Sequence, residues 1–400
     1  MTQDQNTPKD RARKEFAAVF GRDPEGVWQA PGRVNVIGEH TDYNEGLCLP
    51  VALPYAARAA VARREDGLVR VHSAQADGVV EARVAELAPG REGEGWAAYV
   101  LGVLWALCAD GHGDALAGGL DVHMDSDVPT GAGLSSSAAL ECAVAAACRE
   151  LYGLDYSDPQ AALLAQRAEN AYVGVPCGVL DQMAAMCCAE GSALVLDCRD
   201  VMTVHQVPFD PAAEGLALLV VDTRVKHTHG DNEYAARRAG CERAAGLLGV
   251  PALRDVRYEE LDAALERLPE GDEPDGKPGL RRLVRHIVTD DHRVERVAEL
   301  VAAGRLRETG ALLTEGHASL RDDYRISCLE SDLVVETAVA AGALGARQTG
   351  GGFGGCVVVL VEEAGAEAVT DAVAAAFAER GLPAPRAFSA KPSAGARRLD

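Results

Sequence analysis

Four hundred residues exceed what one hydrophobic core ordinarily serves, so two domains are expected. The composition, 48% hydrophobic and 25% charged with a mean hydropathy of -0.05, is that of a soluble globular chain, and no apolar run of about 18 residues could span a bilayer. Asp and Glu outnumber Lys and Arg by 61 to 39, a net charge of -22 that repels phosphate backbones and anionic lipids, so neither nucleic acid nor membrane is an expected partner.

Residues 1–16, MTQDQNTPKDRARKEF, are polar and lack the apolar segment of a secretory leader, which makes the cytoplasm the expected compartment. Val27 to Gly38 reads as a strand, with Val34 and Val36 alternating with polar neighbours. At its end come Glu39, His40, Thr41 and Asp42 in a row, with Arg33 upstream. A solvated loop could hold such a set; a sugar site would need one. Val69 to His72 reads as a strand and Trp96 to Cys108 as a helix; Asp121 to Met124 is a short strand leading into the turn-rich DSDVPTGAG. The next stretch, VPTGAGLSSSAALECAVAAAC, sets two glycines and three serines at the start of an Ala-rich helix expected over Ser135 to Leu151. The first turn of a helix has free N–H groups and a positive dipole end, which suits a phosphate. One serine would serve as a cap; three after GAG favour a nucleotide phosphate site.

A further helix is expected over Pro159 to Ala171, and the apolar run Leu216 to Thr223 reads as a buried strand. The chain divides most readily between Val201 and Glu214, giving domains of residues 1–205 and 206–400. The segment GDEPDGK, from Gly271, mimics a P-loop, but Pro278 stands where Ser or Thr should follow. A helix around Leu333 to Leu344 leads to GGGFGG, from Gly350 to Gly355, and then to the strand CVVVLVEE; with a helix before it and a strand after, the glycine run does not fit a dinucleotide fold. So many glycines imply close approach of the backbone to a ligand or another loop. A helix over Ala366 to Arg380 and a strand in APRAFSA complete an α+β pattern. The eleven cysteines form no CxxC pair and sit mostly in apolar stretches as reduced thiols, and HTH, His227 to His229, lacks partners at zinc spacing.

PTGAGLSSSAA resembles the ATP loop of the GHMP kinases, and GRVNVIGEHTDYNEG, WAAYVLGV, CGVLDQMAA and QTGGGFGGCVVVL are similar to motifs of that family's galactose-phosphorylating branch, in the family's order. The resemblance implies a two-domain fold, an N-terminal domain like the second domain of ribosomal protein S5 and a ferredoxin-like C-terminal domain, with the active site between them. It implies galactose and MgATP as partners. Glu39, His40, Thr41, Asp42, Gly178 and Tyr234 would contact the sugar. Asp181 would be the catalytic aspartate, a base for the anomeric hydroxyl or an electrostatic positioner, with Arg33 beside it. Gly131, Ala132, Gly133, Leu134, Ser135, Ser136 and Ser137 would wrap the nucleotide phosphates, Ser73 would touch the nucleotide, and Ser137 with Glu169 would hold Mg2+. The glycine run would pack on the phosphate loop. The rival readings are a kinase for another galacto-configured sugar and a sugar sensor without turnover.

Overall fold

The computed structural model describes residues 7–90, 93–225, 230–273 and 276–399; the HTH at His227 to His229 lies outside the described residues. Strands β1 (Gly26–Asn35), β2 (Leu47–Cys48), β3 (Pro50–Arg63), β4 (Leu68–Ser73), β5 (Ala76–Arg83) and β6 (Gly119–Ser126) come first, then β7 (Ser192–Asp197) and β8 (His205–Pro208). The second half supplies β9 (Leu216–Asp222), β10 (Gly345–Thr349), β11 (Cys356–Glu362), β12 (Arg386–Ser389) and β13 (Arg397–Arg398). They form a six-stranded sheet ordered β13-β1-β3-β6-β4-β5, a four-stranded sheet β10-β11-β9-β12 and a small sheet β2-β7-β8. All pairings are antiparallel except β4 with β6.

β3 has almost no polar alternation because both of its faces are covered. Ala57, Ala59 and Val61 join the main core with Ala143, Val144 and Ala147 of the helix Ser136–Tyr152, while Ala60 and Ala62 pack on Ala12 and Phe16 of the helix Pro8–Phe20. That first helix is capped by Thr7, whose side chain accepts from Asp10 N–H, and stops at Gly21 in the left-handed region. In the second half, the helices Leu329–Ala340 and Ala366–Glu379 cover the four-stranded sheet, and a separate cluster of helices surrounds Tyr324.

Two sequence expectations change. The helix expected to Leu344 ends at Ala340, and GARQT forms the strand β10, wholly buried and paired along its length with β11. The glycine run therefore joins two strands, and the dinucleotide reading fails because no helix follows it. The expected division at 205/206 falls on the first residue of β8, which pairs back onto β7; the chain leaves that sheet only after Pro208. β13 returns to pair with β1, so the last residues stitch onto the first sheet.

The helix Leu280–Ala302 reaches across to the acidic turn, where Asp291 Oδ1 accepts the Leu47 N–H at 2.8 Å. Burial pushes Asp291 up to about 7, with Arg254 only 3.9 Å away as partial compensation. A carboxyl raised in the folded chain contributes stability below its unfolded value near 3.8, and this is lost as pH rises through about 7. Asp291→Asn keeps the acceptor without the charge. Its melting temperature relative to the unsubstituted protein is expected to rise between about pH 4 and about pH 7. A difference flat or falling across that window would contradict the assignment.

Candidate active site

A cavity of 520 Å³ opens where the end of β1, the start of the helix Leu180–Cys187 and the glycine run meet. Of the residues singled out by sequence, Arg33, Glu39, His40, Asp42, Gly131, Gly133, Glu169, Gly178, Asp181 and Tyr234 line it.

Arg33 reaches the cavity through a bulge in β1 between Pro31 and Arg33. Gly32 makes the bulge possible, since a Cβ there would lie 2.6 Å from the Leu134 carbonyl oxygen. The guanidinium donates from Nε to Asp181 Oδ1 at 2.9 Å and from Nη1 to the Gly133 carbonyl at 2.6 Å. One side chain thus fixes both the carboxylate and the loop expected to hold phosphate. Arg33 is 6% exposed, which leaves its charge little screened.

In the acidic turn, Glu39 Oε2 lies 2.6 Å from Arg347 Nη2, and its Oε1 accepts the Gly350 N–H at 3.4 Å. Burial raises Glu39 to about 7 against the pull of Arg347, while nearby Asp290 adds to the rise. Asp42 is pushed up to about 6 by burial and by the charge of Asp181. Gly178 must be glycine, because a Cβ would sit 1.7 Å from Asp42 Oδ2. His40 adopts φ 63°, and its ring lies 5.0 Å from that of Tyr234. Thr41 differs from expectation: fully buried, its hydroxyl is engaged with the carbonyls of Gly38 and Leu47 at 2.9 and 2.7 Å, so it closes the turn and does not face the cavity.

The phosphate-loop candidates split by role. Gly131 and Gly133, both at φ 73°, expose their backbone to the cavity. Ala132 and Leu134 are buried and act through carbonyls, Ala132 accepting from the Cys356 thiol at 3.1 Å and Leu134 from the Arg33 N–H at 3.1 Å. Ser135 is left-handed at φ 58°, and its buried hydroxyl has no partner among the described residues. Ser136 and Ser137 open the helix. The glycine run does pack here: a Cβ on Gly350 would lie 3.1 Å from the Gly133 carbonyl oxygen, and one on Gly355 3.1 Å from that of Ala132. Ser73 does not line the cavity; its hydroxyl is engaged with Gln75 in the turn after β4.

Glu169 lines the cavity from a wide helical turn, Ala168–Val173, with the Ser137 hydroxyl on its side of the helix start favouring its charged form. Burial and the charge of Asp181 raise it to about 7. Gln182 Nε2 donates to Glu169 at 2.6 Å and to Glu141 at 3.2 Å. A hydroxyl and a carboxylate oxygen together form the hard donor set that Mg2+ prefers, with phosphates and water completing its shell, and this pair fits the ion. Among the described residues no cluster of three or more His, Cys, Asp and Glu could cage a metal by itself.

Sequence reasoning missed Arg347, Asp290, Glu141 and Gln182, all fully buried. Arg347 and Gln348 stand inside the short polar strand β10, and Glu141 is a single charge in an Ala-rich helix, so neither element carried a signal strong enough to mark them.

An arginine-braced carboxylate, a glycine-lined helix start and an acidic turn share one cavity, an arrangement suited to a small-molecule kinase. Sequence profiles agree: residues 98–189 match the GHMP kinases N terminal domain, 297–379 the GHMP kinases C terminal domain, and 14–63 the galactokinase galactose-binding signature. The chain belongs to the GHMP kinases. It is 62% identical to a galactokinase of Streptomyces coelicolor over 96% of this chain and 97% of that one, and 45% identical to a galactokinase of Mycobacterium tuberculosis over 89% and 94%. The crystal structure of Lactococcus lactis galactokinase complexed with galactose superposes with a TM-score of 0.91 at 31% identity, covering 98% of this chain and 100% of that one. A Methanococcus jannaschii mevalonate kinase, with a TM-score of 0.60 at 16% identity, shares the fold alone. Within the GHMP kinases, this chain belongs to the galactokinases.

Proposed function

We infer that the protein transfers the γ-phosphate of ATP to the C1 hydroxyl of α-D-galactose, giving α-D-galactose 1-phosphate and ADP. The observation that carries this reading is the Arg33–Asp181 pair, held between the sugar turn and the phosphate loop in one cavity. Asp181 accepts the proton of the anomeric hydroxyl as its oxygen attacks the γ-phosphorus. Arg33 keeps that carboxylate aimed and lends positive charge to the transferring phosphoryl group. Glu39, Asp42, the Gly178 backbone and Tyr234 orient the sugar. Backbone N–H groups between Gly131 and Ser137 hold the phosphates at the helix start. Ser137 and Glu169 are the side chains that would bind Mg2+, which supplies charge neutralisation on the phosphates.

We place the protein in the cytoplasm, a reading supported by its eleven free thiols. The two-domain division is likewise our reading, with the boundary at the end of β8. The test is ADP release with Mg2+ and ATP across a panel of free hexoses. Galactose-dependent turnover yielding galactose 1-phosphate is expected; turnover with only another galacto-configured sugar would overturn the substrate assignment and leave the chemistry intact.

A further inference from the structure

The sugar turn is tied to the second half of the chain by a line of four hydrogen bonds, running Cys241–Tyr324–Tyr43–His40–Gly351. The separations are 3.2 Å from Cys241 Sγ to Tyr324 Oη, 2.7 Å from there to Tyr43 Oη, 2.8 Å to His40 Nδ1, and 3.2 Å from His40 Nε2 to the Gly351 carbonyl oxygen. One end dictates every direction. A carbonyl oxygen carries no proton, so Nε2 must donate. The imidazole is packed among the rings of Tyr43, Tyr234 and Tyr324, and burial, with His286 and Arg237 nearby, disfavours a second proton. Nδ1 is then a bare lone pair, and Tyr43 donates to it. That spends the only proton of Tyr43, so Tyr324 donates to Tyr43, and the Cys241 thiol is left as donor to Tyr324.

Resting on the reading that this turn binds galactose, we propose that Tyr43 and Tyr324 are positioning residues for the sugar site: together they hold His40 as the Nε2–H tautomer, which locks the turn at residues 39–44 onto the glycine loop at 350–355. Tyr324 is suited to this because its segment supports both partners. Arg237 Nε donates to the Tyr324 carbonyl at 2.9 Å and Nη2 to that of Arg325 at 3.0 Å. One residue further, the Ile326 carbonyl accepts the Phe353 N–H at 2.7 Å, so the same strap that carries the Tyr324 hydroxyl also holds the glycine loop. Both His40 nitrogens are used inside the protein. Its ring therefore reaches a sugar hydroxyl only by releasing Gly351, and Tyr43 and Tyr324 act on the sugar through the turn without touching it.

Two measurements test this. Nitrogen-15 NMR of histidine-labelled protein at about pH 7, with the His40 signals identified by their loss in His40→Asn, is expected to show a protonated Nε2 and a bare, hydrogen-bonded Nδ1. An Nδ1–H tautomer or an imidazolium would overturn the proposal. In kinetics, Tyr43→Phe and Tyr324→Phe are each expected to raise the galactose KM by about tenfold. Both should leave kcat and the ATP KM within about twofold, and the double variant should match Tyr43→Phe alone, because the links are in series. Additive effects, or a fall in kcat with KM unchanged, would equally overturn it. The tautomer is read without turnover, so failure of the galactose assignment leaves that arm standing, whereas galactose turnover with the wrong tautomer removes the relay alone. If Tyr324→Phe does not fold, the unsubstituted protein's tautomer still decides.

Discussion

Asp181→Asn is expected to release ADP about 10³-fold more slowly than the unsubstituted enzyme at saturating galactose and ATP. The substitution preserves shape and keeps an oxygen for Arg33, whose Nε now meets Asp181 Oδ1 at 2.9 Å. Arg33 also retains the Gly133 carbonyl at 2.6 Å, so the phosphate loop stays in place. What disappears is the acceptor for the anomeric proton and one negative charge. That charge contributes to raising both Asp42 and Glu169, so its removal eases ionisation of the two carboxyls beside the substrates. Galactose should consequently still protect the variant against thermal unfolding. The decisive comparison is single-turnover transfer against galactose-induced melting shift. A loss of only about tenfold would mean that neither the acceptor nor the charge at Asp181 carries much of the rate, as a loose phosphoryl transfer that asks little of a base allows. Loss of the melting shift together with activity would instead place Asp181 in sugar binding.

Much of this site is visible in the chain because its parts are local. A helix start with GAG and three serines has one physical use that a plain cap does not exhaust, and in the structure Gly131 and Gly133 open onto the cavity. The acidic turn was conspicuous for the same reason, as four polar residues at the end of an apolar strand. Thr41 misleads there because its sequence neighbours say nothing of direction: a turn points successive side chains to different sides, and this one points inward to two carbonyls. Ser73 misleads similarly, its hydroxyl being occupied by Gln75 within its own turn.

The long-range partners were not legible, since nothing in the turn at residue 39 reveals that its counter-ion comes from residue 347. The strand β10 was also hidden. GARQT has two large polar residues and a glycine, which lowers its strand propensity, and only pairing with β11 and the partners of Arg347 make it a strand. Likewise Glu141 reads as one more polar residue of an Ala-rich helix until Gln182 is seen bridging it to Glu169.

Arg347→Met should be the most destabilising of these substitutions, by roughly 3–5 kcal/mol, because it strands Glu39 in the interior and leaves Asp290 with one arginine in place of two. Arg347 is 0% exposed, and its Nη2 lies 2.6 Å from Glu39 Oε2 and 3.2 Å from Asp290 Oδ2. Burial opposes ionisation of Asp290, yet Arg347, His286 and Arg293 together hold it below the ordinary carboxylate range, so it stays charged. Removing the guanidinium leaves Asp290 with Arg293 at 3.2 Å and leaves Glu39 without a nearby cation of comparable geometry. Glu39, already raised to about 7, then takes up a proton more readily. The damage is therefore expected to be greater at about pH 8 than at about pH 5, where a protonated Glu39 no longer needs its partner. Glu39→Gln in the Arg347→Met background removes that difference and recovers part of the loss, since a neutral amide asks for no counter-ion. Urea unfolding of the two variants and the unsubstituted protein at both pH values checks this. A loss below about 1 kcal/mol, or one indifferent to pH, would mean that water or a rearranged turn compensates Glu39. The acidic turn would then owe its shape to Thr41 and Asp291 and not to the ion pair beneath it.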